Sequence, residues 1–134
     1  MGNSPLDKLL IQLSRLHPKY IDLSLDRLLN LLKKLNNPHL KLPPTIHIAG
    51  TNGKGSILSF IHHILKENNY KVHCYISPHL EYFEERIILS NKTISKKKLY
   101  DTLTFVKQIN NKNPITFFEI TTAAAFLLFA KHKA

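Results

Sequence analysis

Cysteine, tryptophan and long apolar runs are scarce or missing in this chain. The single cysteine, Cys74, cannot form a disulfide within the chain, which excludes a disulfide-stapled scaffold and favours a reducing compartment. Residues 1–16 carry no apolar stretch with a small-residue cleavage site, so no secretory signal is predicted. The longest apolar stretch, Ile120–Ala130, is shorter than the about 18 residues of a membrane span. We therefore expect a cytoplasmic protein with no membrane partner.

Arginine is also scarce, although positive charge is abundant. The formal net charge is +10, and sixteen lysines stand against three arginines. Base readout and phosphate clamping in nucleic-acid complexes favour the planar arginine fork. The one lysine run, Lys96–Lys98, opens a predicted helix, where a solvated face accounts for it. We expect no nucleic-acid partner, and a basic nucleic-acid-binding module is a hypothesis that rests on charge alone.

The spacing of leucine and isoleucine predicts a single globular domain. A hydrophobic fraction of 43% is that of a folded protein, and 134 residues suffice to bury one core. Ser4 is the expected N-cap of a first helix, with Pro5 at its first position. Four more helices are predicted, with these apolar faces: Leu25, Leu28, Leu29, Leu32 and Leu35; Ile57, Ile61, Ile64 and Leu65; Leu99, Leu103, Phe105 and Val106; and the stretch from Phe117 onward.

Two predicted strands flank the helix that carries Ile57. Thr45–Ala49 is expected to form a buried strand before this helix, and Tyr70–Ser77 a second strand after it. A strand, a helix and a strand in this order indicate a βαβ unit. We therefore predict an α/β fold with a parallel sheet, a P-loop βαβ unit and flanking helices. A small hairpin is expected to turn at Ser90–Lys92.

A glycine-rich turn, GTNGKGS at residues 50–56, joins the first strand to its helix. Such a turn suits a phosphate, because its N–H groups and the helix start attract an anion and glycine permits the tight curl. Lys54 would add a charge at the β- and γ-phosphates, so it is the candidate catalytic residue. The pattern G-x-x-x-x-G-K-[ST] is not met literally, since Gly55 follows the lysine. An ordinary turn with an incidental lysine is the alternative.

Four segments together resemble one family. HIAGTNGKGS resembles the ATP-binding loop of the Mur ligase superfamily, in the form of folylpolyglutamate synthase and dihydrofolate synthase, where glycine follows the lysine. His17–Arg27, Ser77–Ile87 and Ile115–Phe126 are similar to segments of the same family in order and spacing. The resemblance implies that residues 1–134 form the N-terminal portion of an incomplete Mur-ligase-like ATP-binding domain.

The resemblance also implies roles for individual residues. Those matching the nucleotide loop are Gly50, Thr51, Asn52, Gly53, Lys54, Gly55 and Ser56. Ser77 matches a serine that ligates Mg²⁺, with a plain turn residue as the alternative. Those matching the pterin side of a folate pocket are Tyr20, Ile21, Asp22, Leu23, Thr116, Phe117, Phe118 and Glu119. Core packing remains open for Phe117 and Phe118, and helix capping for Asp22.

Other titratable residues receive weaker predictions. Arg86 either contacts an anion or forms a salt bridge with Glu84 or Glu85. The histidines lack metal-binding spacing, and Cys74 is expected to be a buried strand residue without special reactivity.

The family's reaction follows from the resemblance and not from the residues alone. ATP phosphorylates a carboxylate of dihydropteroate or a folate, and the amine of glutamate then displaces phosphate to give an amide. The implied cofactors are ATP and Mg²⁺, and the implied substrates are folate or dihydropteroate and glutamate. Family members are much longer, and their remaining metal ligands and glutamate site match nothing here. We expect an N-terminal fragment that acts in a longer or reassembled protein, with a separately encoded C-terminal portion as a candidate partner. A non-catalytic nucleotide-binding remnant is the alternative.

Overall fold

Five α-helices and one small sheet make up the residues that the structure, a computed structural model, describes: 4–18 and 23–134. The elements are α1 (Pro5–Ser14), α2 (Asp26–Lys34), α3 (Lys54–Glu67), β1 (Cys74–Tyr75), β2 (Ile87–Leu89), β3 (Lys92–Thr93), α4 (Lys96–Asn110) and α5 (Phe117–Lys131). Single turns of 3₁₀-helix cover Pro38–Lys41 and Phe83–Arg86. Within the described ranges, none of the helices is long and apolar enough to cross a membrane.

Side-chain caps fix where the helices of the core begin. Ser4 Oγ accepts a hydrogen bond from the Asp7 N–H, while the Asp7 carboxylate accepts from the Ser4 N–H, both at 3.2 Å. The hydrogen bond from the Ser4 side chain holds the pKa of Asp7 below its ordinary value. Ser95 caps α4 by accepting from the Lys98 N–H at 3.2 Å. Both caps confirm the predicted helix starts.

The core is helical and is centred on α5. This helix packs against α1, α2 and α4, and β2 also contacts it. The predicted core positions Leu99, Leu103 and Val106 of α4 are fully buried, but Phe105 is exposed. Phe105 lies two residues from Leu103, which at 100° per residue directs it away from the buried face. In α2, the predicted stripe is wrong in part, because Leu25 and Leu29 are exposed while Leu31 joins the core.

The sheet is antiparallel, so the prediction of a parallel sheet is wrong for the described residues. Cys74 of β1 lies opposite Ile88 of β2, and Leu89 of β2 opposite Lys92 of β3. The predicted hairpin is confirmed: residues 90 and 91 have φ of 51° and 68°, the conformation of a two-residue hairpin turn.

The predicted strand Thr45–Ala49 is not a strand in this structure. Its backbone forms no hydrogen bond with another segment of the described chain. A strand exists only where a neighbour completes its ladder. Its expected neighbour, Tyr70–Ser77, pairs instead with β2 through Cys74 and Tyr75. No βαβ unit therefore forms from these two segments.

Helix α3 stands apart from the core, so its predicted buried face is wrong as well. Ile57 and Ile64 are exposed, the latter by 62%, and neighbouring Phe60 is 68% exposed. His62 is the buried residue of α3. Within the described ranges, no other helix or strand packs extensively against α3. The apolar periodicity is real, but nothing in residues 4–18 and 23–134 covers this face.

Candidate functional site

The glycine turn places a left-handed residue at the start of α3. Gly53 is the N-cap of this helix, with φ of 74° and ψ of 2°. A residue with a Cβ is strained in this conformation. Gly55 lies inside the first helical turn without a positive φ, and a Cβ added there would meet nothing within 4 Å. The backbone conformation therefore requires glycine at position 53 but not at position 55.

Unpaired backbone N–H groups converge at this helix start. Gly53 contributes no side-chain cap, and its carbonyl accepts from the Ile57 N–H at 3.0 Å. The N–H groups of residues 54–56, which precede Ile57, find no acceptor among the described residues. The Lys54 ammonium lies over the same turn and donates to the Thr51 carbonyl at 3.5 Å. Free N–H groups, a helix dipole and a lysine are the components of a phosphate-binding turn.

The loop that carries Ser77 is held by one carboxylate. Glu85 accepts hydrogen bonds from the N–H groups of Leu80 at 2.8 Å, Glu81 at 3.1 Å and Tyr82 at 2.8 Å. These bonds, the Tyr82 N–H first, lower the pKa of Glu85 below its ordinary value. Ser77 itself is exposed, as a metal ligand that takes further oxygens from a bound nucleotide would have to be.

Arg86 forms neither of the salt bridges considered from the sequence. Its Nε donates to Nδ1 of His79 at 2.9 Å, and its guanidinium carbon lies 5.0 Å from the centre of the Phe83 ring. Glu84 pairs instead with Lys96 at 3.7 Å, and Glu85 is occupied by the loop. The salt-bridge hypothesis for Arg86 is therefore wrong in this structure, and the anion contact stays a prediction.

The TFFE segment, Thr116–Glu119, begins α5 with a capping box that reaches a second helix. Glu119 accepts from the Thr116 N–H at 2.9 Å and from the Arg27 guanidinium at 2.8 and 3.2 Å. Glu119 is buried, so this ion pair ties α2 to the start of α5. Sequence reasoning missed the pair, whose members are 92 residues apart. The available signal was that each residue belongs to a segment resembling the same family.

The two aromatic residues of TFFE have different surroundings. Phe117 is buried, with its ring centre 5.5 Å from that of Phe83, which supports the core-packing alternative. Phe118 is partly exposed and stacks at 6.4 Å on Tyr75. Leu23 is 92% exposed, and the predicted substrate residues 20–22 lie outside the described residues. Phe118 is thus accessible to a ligand in part, whereas Phe117 belongs to the core.

Of the three motifs, the Ser77 loop and the TFFE segment contact each other directly. Phe83 of the Ser77 loop packs on Phe117 of TFFE. The glycine-turn helix reaches the hairpin through His62 Nε2 and Asn91 Oδ1, 3.3 Å apart. Among the described residues, no group of three or more histidine, cysteine, aspartate or glutamate side chains could hold a metal ion. Ser77 alone fits Mg²⁺ only as one ligand among several oxygens, the others coming from phosphates, water or further protein.

Comparison with known proteins gives a consistent result. No protein-family profile matches the chain. The dihydrofolate synthase/folylpolyglutamate synthase of Haemophilus influenzae is 35% identical over 132 residues, which are 98% of this chain and 30% of that protein. Escherichia coli FolC in complex with DHPP and ADP superposes with a TM-score of 0.83 at 32% identity, covering 96% of this chain and 31% of FolC.

A third match carries further ligands. A bifunctional folylpolyglutamate synthase/dihydrofolate synthase with Mn, AMPPNP and L-glutamate bound has a TM-score of 0.80 and 30% identity, over 98% of this chain and 31% of that one. The chain belongs to the folylpolyglutamate/dihydrofolate synthase family. It spans about 30% of the length of the relatives it matches. These folylpolyglutamate synthases bind adenine nucleotides and Mn, which agrees with the ATP and divalent metal expected from the sequence.

Proposed function

We propose that this chain supplies the nucleotide-binding turn and part of the pterin site of an ATP-dependent ligase that joins glutamate to folate or dihydropteroate. The observation that carries the proposal is the turn at residues 50–56, where three free N–H groups and Lys54 meet at the start of α3. The full-length relatives add support, since one was solved with a nucleotide analogue, Mn and L-glutamate. The chain is proposed to act as the N-terminal portion of the ATP-binding domain.

The proposed reaction has two steps. A carboxylate oxygen of the pterin substrate attacks the γ-phosphorus of ATP, and the bond from that phosphorus to the bridging oxygen breaks, which leaves an acyl phosphate and ADP. The amine of glutamate then attacks the acyl carbon, inorganic phosphate leaves, and the nitrogen loses a proton as the amide forms. The protein mainly positions the reactants and offsets negative charge.

Each described motif has a part in this scheme. The N–H groups of residues 54–56 and the Lys54 ammonium would hold the phosphates, with Gly50, Thr51 and Asn52 shaping the turn. Phe118 would offer its exposed ring face to the pterin, while Glu119 positions the α5 start through Arg27. Bound Mg²⁺, with Ser77 as one ligand, would offset the charge on the transferring phosphoryl group.

The remaining polypeptide of the relatives is the proposed partner. The uncovered apolar side chains of α3 and the unpaired backbone of residues 45–49 are the surfaces that it would cover. A cytoplasmic location is part of the proposal, since the one cysteine is buried and unpaired. A nucleotide-binding remnant without catalysis is the competing function, favoured because the described residues offer the metal Ser77 and no cluster of further ligands.

Nucleotide titration tests the role of the turn. We expect the chain to bind ATP, and Lys54→Ala to weaken binding about tenfold, because a charge-assisted phosphate contact is lost. Lys66→Ala, which removes an exposed lysine from the last turn of the same helix, is the matched control and should leave the affinity unchanged. Equal effects of the two variants in calorimetry would show that only net charge attracts the nucleotide.

A reconstitution assay separates the ligase from the remnant. We expect the 134-residue chain alone to release no ADP in response to glutamate and a pterin substrate. Adding the part of a relative that extends beyond the match, as a second polypeptide, should produce ADP release that depends on both substrates. The same second polypeptide without this chain is the control. Absence of turnover in the mixture, with ATP still bound by the chain, would support the remnant.

A further inference from the structure

A buried positive charge lies at the edge of the proposed substrate site without an anionic partner. Arg86 is only 7% exposed, yet its two terminal amino groups donate to no acceptor in the described part of the chain. Its Nε bond goes to ring nitrogen Nδ1 of His79, and the ring of Phe83 supplies the other contact. Burying a charge without a counter-charge is costly, so a buried guanidinium normally has a carboxylate or phosphate beside it.

The neighbouring carboxylates do not serve this purpose. Glu84 lies against Lys96, and Glu85 accepts the backbone N–H groups of residues 80–82. The terminal amino groups of Arg86 are not sealed in the interior either. The fully buried side-chain polar atoms without a partner, over the described residues, belong to His39 and Thr104. The Arg86 amino groups, also without a partner, therefore keep some access to solvent and to a ligand.

The position of Arg86 links the two motifs assigned to substrate and metal. Its carbonyl accepts from the Ile76 N–H at 2.9 Å, one residue before Ser77. The Phe83 ring that lies against its guanidinium also packs on Phe117 of the TFFE segment. The backbone of Arg86 thus pairs with the strand that leads to the expected metal ligand, and its guanidinium lies against a ring that packs on the expected pterin site.

We propose that Arg86 binds the oxyanion at the reacting end of the pterin substrate: the carboxylate first, and then the acyl phosphate that replaces it. The planar fork of the two amino groups matches either oxyanion in a bidentate manner. The His79 bond and the Phe83 ring fix the plane of the guanidinium before the ligand arrives. This inference rests on the proposed function, because that function defines which oxyanion enters the site.

Side-chain NMR of arginine-labelled chain tests the contact directly. The chain has three arginines, so single variants assign each guanidinium signal. We titrate 4-aminobenzoate, which carries the reacting carboxylate of dihydropteroate, and its neutral counterpart 4-aminobenzamide. A saturable shift of the Arg86 signals with the acid and none with the amide is expected. Arg15, which is exposed, is the control and should not respond. No shift at Arg86, or equal shifts at Arg15 and Arg86, would overturn the proposal.

A titration with ATP is the second arm of the experiment. It tests whether the oxyanion that Arg86 binds belongs to the nucleotide instead of the pterin substrate. If ATP moves the Arg86 signals at lower concentration than 4-aminobenzoate, the residue is a nucleotide contact and the proposal is wrong. ATP-induced shifts confined to the amides of residues 50–56 agree with it. Those amides also test the proposed function independently of Arg86. If they respond to ATP while Arg86 does not respond to 4-aminobenzoate, the inference about Arg86 is wrong and the proposed function stands. Arg86→Lys should weaken 4-aminobenzoate binding about tenfold, because it keeps the charge but loses the fork.

A stability measurement distinguishes an oxyanion contact from a structural role. If Arg86 is retained for a ligand, Arg86→Met should unfold within a few degrees of the unsubstituted chain, since it removes a charge that no anion balances. Arg27→Met is the matched control, because it strips a buried carboxylate of its partner and should lower the unfolding temperature clearly. An Arg86→Met chain less stable than the Arg27→Met chain would identify Arg86 as a structural residue.

Discussion

The helical core and the glycine-turn segment of this protein differ in how far their apolar side chains are buried and their polar groups are hydrogen-bonded. In the core, α5 is buried among its neighbouring helices, and its one carboxylate, Glu119, has several hydrogen-bond donors. In residues 45–67, the backbone before the turn is unpaired and α3 exposes Phe60 and Ile64. The difference teaches that the geometry of the glycine turn is local, set by a few backbone angles, while the stability around it comes from elsewhere in the fold.

The same substitution in both regions gives the largest contrast. Ile120→Ala in α5 should lower the free energy of unfolding by about 3 kcal/mol, because it leaves a cavity in a closed core. Ile64→Ala in α3 should change it by less than about 0.5 kcal/mol, because the side chain is largely in water. Urea unfolding followed by circular dichroism measures both. Comparable losses would mean that α3 is covered in solution, by self-association for example.

The Arg27–Glu119 pair is the next test of the core. Glu119→Gln should lower the free energy of unfolding by about 2 kcal/mol, less than a fully sealed pair would lose, since Arg27 keeps partial contact with water. Asp101→Asn breaks the exposed pair with Lys97, at 2.8 Å, and should leave the stability almost unchanged because solvent screens the pair. Thermal unfolding of the two variants at the same pH compares these losses of stability. A neutral result for Glu119→Gln would place the pair outside the stabilising core.

Two glycine variants give the smallest effects and probe the turn itself. Gly53→Ala should destabilise the chain by about 1 kcal/mol, because a Cβ is strained at φ of 74°. Gly55→Ala should be neutral or stabilising by up to about 1 kcal/mol, since alanine favours the helix and the added Cβ meets open space. If Gly55→Ala nevertheless weakens ATP binding, close approach of the phosphate is the reason for this glycine. Equal unfolding free energies for the two variants would contradict the conformation described for Gly53.

Local signals were predictable from the sequence, and long-range pairing was not. The caps Ser4 and Ser95 and the hairpin at residues 90–91 each depend on a few neighbouring residues, and they occur where the sequence indicates. The parallel sheet failed because strand pairing depends on a partner distant in the chain, and Thr45–Ala49 has none among the described residues.

The candidate site divides in the same way. The glycine turn could be predicted because seven consecutive residues build it. The Arg27–Glu119 pair and the isolated charge of Arg86 could not, because each depends on which side chains the fold brings together. Apolar periodicity identified a face on α3 but carried no information on what covers it.

The lone cysteine can report when the buried strand β1 becomes exposed to solvent. Cys74 is buried in β1, three residues before Ser77, and burial raises the pKa of its thiol to about 11. At pH 8 the thiol is therefore almost entirely protonated, and the thiolate is the form that reacts. Alkylation of Cys74 in the native chain should therefore be much slower than in the unfolded chain. The alkylation rate, followed as a mass shift, thus reports how readily the sulfur becomes exposed in the strand that leads to the proposed metal ligand.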